Sequence, residues 1–116
     1  MKNDIQARGF TLSSALFSAT IRQIDDYRSK FPRLQPTFLV RLVDINGGKG
    51  GVDKACLVSV RLSGHNEIVT KERDSNMYRA IGLAFSKLVR ATHSALSKEK
   101  AGIRRIRGKT EREFSA

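Results

Sequence analysis

Hydrophobic positions recur along this 116-residue chain with two periods, and the switches between them mark out its elements. Residues 3 to 8 alternate, Ile5 and Ala7 on one side and Gln6 and Arg8 on the other, and stop at Gly9 as a short strand does. From Ser13, a helix N-cap, to about Lys30 the period is helical. Phe17, Ile21 and Ile24 form its stripe, widened by Leu16, Thr20, Tyr27 and Phe31, while Arg22, Asp26 and Ser29 take the opposite face. Pro32 and Pro36 bracket a connection that no helix crosses. Thr37 to Ile45 then alternates with both faces partly apolar, which predicts a central strand.

A glycine-rich loop at residues 46–53 leads to a returning strand over Lys54 to Leu62. After the turn at Ser63-Gly64-His65-Asn66, Glu67 to Arg73 reads as a more polar strand at a sheet edge. Asp74 or Ser75 is the predicted cap of a last helix, Met77 to Lys100. At 100° per residue, Met77, Ile81, Ala84, Phe85, Leu88, Thr92 and Ala95 share one face of it. Arg79 and Arg90 fall opposite, with Ser86, Ser94 and Ser97 around them, Leu83 close by, and Lys87 and Lys98 on a flank.

The order β-α-β-β-β-α, with a meander after the first helix, predicts an α+β domain of two layers: a four-stranded sheet with both helices packed on one face. Residues 1–100 make up this domain, and residues 101–116, charged and broken by Gly102 and Gly108, read as a basic flexible tail.

Charge adds a partner to this picture. The chain has 22 Lys and Arg against 11 Asp and Glu, a formal net charge of +11. Residues 1–70 contribute +4 and residues 71–116 contribute +7, so the excess lies on the last helix and beyond. Such a balance points to nucleic acid or an anionic membrane surface. A single cysteine, Cys56, excludes an internal disulfide and fits a reducing compartment. Residues 1–4 open with no apolar signal region, and no run approaches the roughly 18 apolar residues of a membrane helix. The expectation is a soluble, cytoplasmic protein with no membrane partner.

No catalytic constellation emerges, so an enzyme is not expected. The glycine loop lacks the spacing of a phosphate-binding loop and joins two strands, so it reads as a hairpin tip. His65 and His93 have no ligand-spaced companions, so no metal or other cofactor is expected. Cys56 alternates in phase with Val58 and Val60 as a small core side chain. Asp25 and Asp26, adjacent on a helix, point about 100° apart and form no carboxylate pair.

The basic set is the remaining candidate site. Lys71 and Arg73 end the edge strand, and Arg79, Lys87, Arg90, Lys98 and Lys100 follow along the helix. Arg22 of the first helix completes the set of RNA-binding candidates. Between residues 75 and 100 only Glu99 interrupts the positive charge, so the helix lacks i,i+4 carboxylates to offset it. A basic ridge with interspersed hydroxyl donors suits a phosphate backbone. RNA is favoured over DNA because no recognition helix with clustered Asn, Gln and Arg is present, whereas structured RNA is read through phosphate and 2′-hydroxyl contacts.

The element order, the Asn76-Met77-Tyr78 helix opening, Ile81, and the Lys87-Leu88-x-Arg90 step followed by Lys98 and Lys100 resemble the ribosome hibernation promoting factor and ribosome-associated inhibitor A family, in its short form. The resemblance covers about residues 3 to 100. It implies a fold like that of double-stranded RNA-binding domains, and a non-enzymatic inhibitor of translation. Members occupy the small-subunit channel for messenger and transfer RNA and silence ribosomes under stress. By position, Lys87, Arg90, Lys98 and Lys100 correspond to family contacts with ribosomal RNA. The chain is then expected to be a monomer off the ribosome, with the small subunit and its RNA as partners and no small-molecule substrate. Arg79, Gly82, His93 and Ser94 depart from the family pattern. Two alternatives stay open: a general structured-RNA module acting off the ribosome, and a basic protein-interaction module.

Overall fold

The strands and helices follow one another as the hydrophobic periods predict: β1 Asn3–Arg8, α1 Ser14–Lys30, β2 Thr37–Asp44, β3 Lys54–Arg61, β4 Ile68–Asp74 and α2 Met77–Gly108. This computed structural model describes residues 3–45 and 54–108, with side chains as far as residue 97. The glycine-rich loop 46–53 and residues 109–116 lie outside the described residues.

The sheet order is β1-β2-β3-β4. β1 and β2 run parallel because α1 carries the chain back between them, and β2, β3 and β4 form the antiparallel meander. Register sorts the strands into two faces. Ile5, Val40, Val58 and Thr70 lie side by side, as do Leu42, Cys56 and Glu72, on the face covered by the helices. Gln6, Arg41, Leu57 and Lys71 form a row on the other face. Because successive side chains point to opposite faces, the buried Phe38, Val40, Leu42, Cys56, Val58 and Val60 belong to a single surface. The architecture is therefore the expected two-layer α+β.

Both helices meet that surface through their apolar stripes, except that Phe17, expected in the stripe of α1, lies outside the core and is exposed. Ile24, Tyr27 and Phe31 of α1 and Met77, Ala80, Ile81, Ala84, Phe85 and Leu88 of α2 join the strand residues in one core. The aromatic centre is Tyr27 edge-on to Phe38, with centroids 5.2 Å apart, and Phe38 beside Phe85 at 6.1 Å. Cys56 is fully buried and free, in its expected role as a small core side chain, and burial pushes its thiol up to about 12.

Helix ends follow local chemistry. Ser13 caps α1, its hydroxyl accepting from the Leu16 N–H at 3.2 Å. The start of α2 differs from the expected cap at Asp74 or Ser75. Asn76 accepts from the Tyr78 N–H at 2.9 Å, and Asp74 takes the Asn76 N–H at 2.8 Å one step earlier. An Asn side chain at that position reaches the second N–H of the helix, whereas a residue further back cannot.

The far end of α2 also differs, running to Gly108 and not to about Lys100. A lone glycine such as Gly102 costs about 1 kcal/mol against alanine, too little to stop a helix whose neighbours are Ala, Arg and Ile. At 1.5 Å per residue α2 is about 48 Å long and accounts for most of the 56 Å long axis of the molecule. Leu96 is the last of the described side chains packed against the core, and the helix continues to Gly108.

Candidate nucleic-acid interface

The outer face of α2 is positioned by what lies beneath it. Thr70 on β4 donates its hydroxyl to the Ala84 carbonyl at 3.0 Å, and Ala84 and Leu88 are fully buried. With that side fixed against the sheet, Arg79, Leu83, Ser86, Arg90, Ser94 and Ser97 are exposed on the back, as the helical period requires. Leu83 is 44% exposed among them.

These cations are less alone than the helix sequence suggests. No carboxylate within the helix offsets Arg79, Lys87 or Arg90, but β4 supplies two. Glu72 Oε1 lies 3.5 Å from Lys87 Nζ, and Asp74 Oδ2 lies 3.9 Å from Arg79 Nε. Both lysine and arginine remain more than half exposed, so each pair is a weak, screened tether and leaves the cation free to exchange partners. Arg90 forms no ion pair with any described residue.

A groove of about 230 Å³ runs between the helices beside this ridge. Tyr27, Phe85 and Val89 line its apolar part, and Gln23, Lys30 and Arg90 are among its polar walls. Gly82 is on its wall, with open space where a Cβ would stand. Lys30 at the mouth is bound to Asp26 at 3.0 Å, whereas Arg90 is not. The sequence pattern marked Gly82 only as a departure; its place at an interhelical gap depends on how α1 and α2 pack.

The other candidates separate. Arg22 lies on α1 in a shallow hollow with Phe17, Ile21 and Asp25, outside the groove shared with α2. Lys71 and Arg73 stand on the opposite layer: they pair across to Leu57 and Ala55 on the face of the sheet away from the helices. The single basic ridge expected from Lys71 through Lys100 is thus two surfaces, because Thr70 and Glu72 take the side that α2 covers and alternation sends their neighbours outward. Lys98 and Lys100 lie on α2, with side chains outside the described set.

Nothing else in the described structure competes with these surfaces. No group of three or more His, Cys, Asp or Glu is placed to hold a metal ion among the described residues, and no described helix is long and apolar enough to cross a membrane. His93 packs its ring 5.0 Å from that of Phe31, on the flank of α2.

No protein-family model and no curated protein matches this chain. Solved structures do. A ribosomal subunit interface protein from Coxiella burnetii superposes with a TM-score of 0.66 at 23% identity, over 87% of this chain and 99% of its own. The N-terminal domain of Thermus thermophilus Protein Y superposes with a TM-score of 0.63 at 17% identity, over 78% of this chain and 90% of its own. At these identities the likeness establishes the fold, over the greater part of this chain.

Proposed function

We propose that this chain is a ribosome-associated factor of the hibernation promoting family, docking on small-subunit ribosomal RNA through the outer face of α2. The observation that supports this most is the exposed back of α2, where, among the described residues, Arg90 has no ion-pair partner and Arg79 and Lys87 are held by weak surface pairs. The fold that presents it is shared with a ribosomal subunit interface protein. Phosphate neutralisation supplies most of the affinity, and the rigid two-layer body supplies the fit to one channel. Occupancy of the path for messenger and transfer RNA then stops translation without any chemical step. In this reading the protein is a cytoplasmic monomer when off the ribosome, and Lys98, Lys100 and Arg22 add contacts at the edges of the site.

Co-sedimentation with isolated ribosomal subunits across a salt series tests this. The wild-type chain is expected in the small-subunit fraction at low salt and released as salt rises. Reversing Lys87 and Arg90 to Glu releases it at all salt concentrations while its circular dichroism stays unchanged. Unchanged co-migration of the double variant overturns the role of α2. Equal competition by an unrelated RNA duplex favours a general RNA-binding module, and indifference to salt favours a protein partner.

A further inference from the structure

The face of the sheet that the helices leave open has its own charge pattern. Its rows, read across β1 to β4, are Asp4-Leu39-Ser59-Val69, then Gln6-Arg41-Leu57-Lys71, then Arg8-Val43-Ala55-Arg73. The last two rows hold four cations and no carboxylate. Asp4 stands in the first row, and Glu67 beyond it is engaged by Ser59 at 2.6 Å and Arg61 at 3.6 Å. Arg8, Lys71 and Arg73 are exposed and form no side-chain ion pair or hydrogen bond with any described residue. Arg41, between them, has only a weak 3.4 Å bond to Gln6, and its Nε is buried without a partner among the described residues.

We propose that this open sheet face is a second RNA-binding surface, which takes a phosphate backbone on Arg8, Arg41, Lys71 and Arg73, opposite to the surface on α2. The proposal rests on the reading of the chain as an RNA-binding factor and adds to it a second, independent grip. Strand geometry sets the cations about 7 Å apart along β4 and about 10 Å apart from Arg41 to Lys71, a spacing on the scale of neighbouring phosphates. The residues between them argue against other polyanions. In the two cationic rows Leu57 and Val43 are half-buried and Ala55 is buried, and the exposed Val69 stands in the first row on the edge strand, so no apolar side chain stands out among the cations to enter a lipid surface. None of the three rows holds the Tyr, Trp or Phe anchor on which a protein interface usually centres. Cations on both sides of a two-layer body let one molecule be held between two RNA segments.

The test counts RNA molecules bound per chain, using a short RNA stem-loop too stiff to reach both faces at once. Three proteins are compared by isothermal titration and by the salt dependence of binding: the wild type, a sheet-face variant Arg8→Gln/Lys71→Gln/Arg73→Gln, and an α2 variant Lys87→Gln/Arg90→Gln. The wild type is expected to bind two stem-loops and each variant one. The stem-loop that the α2 variant still binds, at the sheet face, is expected to show a salt slope of about 3 for the four cations there. The sheet-face variant is expected to fold normally, since its three side chains have no hydrogen-bond or ion-pair partner among the described residues. Two results overturn the proposal: loss of all binding in the α2 variant alone, or two stem-loops still bound by the sheet-face variant. The first of these leaves the α2 reading intact. Failure to co-sediment with ribosomal subunits while two stem-loops still bind has the opposite meaning: the second surface stands and the ribosomal reading falls. Binding of the wild type to anionic vesicles but not to RNA overturns both.

Discussion

The hydroxyl of Tyr27 on α1 lies 2.8 Å from Oγ1 of Thr92 on α2, and both residues are buried. Thr92 donates its own proton to the Leu88 carbonyl at 2.8 Å, so in the shared bond Tyr27 is the donor and Thr92 the acceptor. This polar pin, set among apolar side chains, joins the two helices beside the groove between them. Replacing its ends has unequal consequences. Tyr27→Phe removes the donor and leaves Thr92 satisfied by Leu88, for a loss of about 1 kcal/mol. Thr92→Val leaves the Tyr27 hydroxyl buried with no acceptor, for a loss of about 1–3 kcal/mol. Urea unfolding of the two variants checks the order; equal losses would mean that the bond is not formed in this direction.

Glu72 holds Lys87 back from an incoming phosphate. The pair spans 3.5 Å on a half-exposed surface, so it is weak, yet the carboxylate also repels RNA approaching α2. Glu72→Gln is expected to tighten RNA binding several-fold and to leave thermal stability within about 0.5 kcal/mol of the wild type. Fluorescence anisotropy with a labelled RNA measures this directly, and a fall in affinity would count against α2 as the binding face.

Two glycines respond in opposite ways to an added methyl group. Gly82 lies within α2 with nothing near its missing Cβ, so Gly82→Ala stabilises the protein by about 0.5–1 kcal/mol. Gly9 ends β1 at a φ of +83°, and a Cβ there runs into the Asp44 carbonyl oxygen. Gly9→Ala therefore costs about 2 kcal/mol or more through strain and a backbone clash that no rotamer relieves. Paired thermal melts resolve the two signs.

Alkaline pH weakens the fold through Cys56. Its thiol ionises near 9.0 in the unfolded chain and at about 12 when buried. The contribution is complete below about pH 9 and disappears as pH rises through 12, because over that range only the unfolded state has released the proton. The slope approaches about 1.4 kcal/mol per pH unit. Tyr27, also raised by burial, adds to the loss above its ordinary 10.0. Between those onsets Cys56→Ala is expected to flatten the pH dependence of the urea midpoint. A slope unchanged by the substitution would assign the effect elsewhere.

Local patterning alone was enough for the element order, the two-layer architecture and the core stripes apart from Phe17, which is 46% exposed. Alternation and helical period are properties of neighbouring residues, and so is the Ser13 cap. The Asn76 cap was missed because Asp74, Ser75 and Asn76 are all good capping residues, and only the observed bond to Tyr78 selects among them. The helix end was missed because Gly102 signals a break that the chain around it overrides.

The candidate site was legible as a set of cations and illegible as a surface. Arg79, Lys87 and Arg90 share the back of one helix, and a helical projection suffices to say so. In β4, by contrast, Ile68, Thr70 and Glu72 alternate with Val69, Lys71 and Arg73, and neither set is plainly the apolar one. Hydropathy leaves that choice open. It is made by non-local packing, where Thr70 bonds to Ala84 and Glu72 meets Lys87. Lys71 and Arg73 therefore join Arg8 and Arg41 on the open face and leave the helix ridge. Periodicity assigns residues to faces, but which face a helix covers is decided by contacts distant in the chain, and here those contacts divide one basic stretch between two sides of the protein.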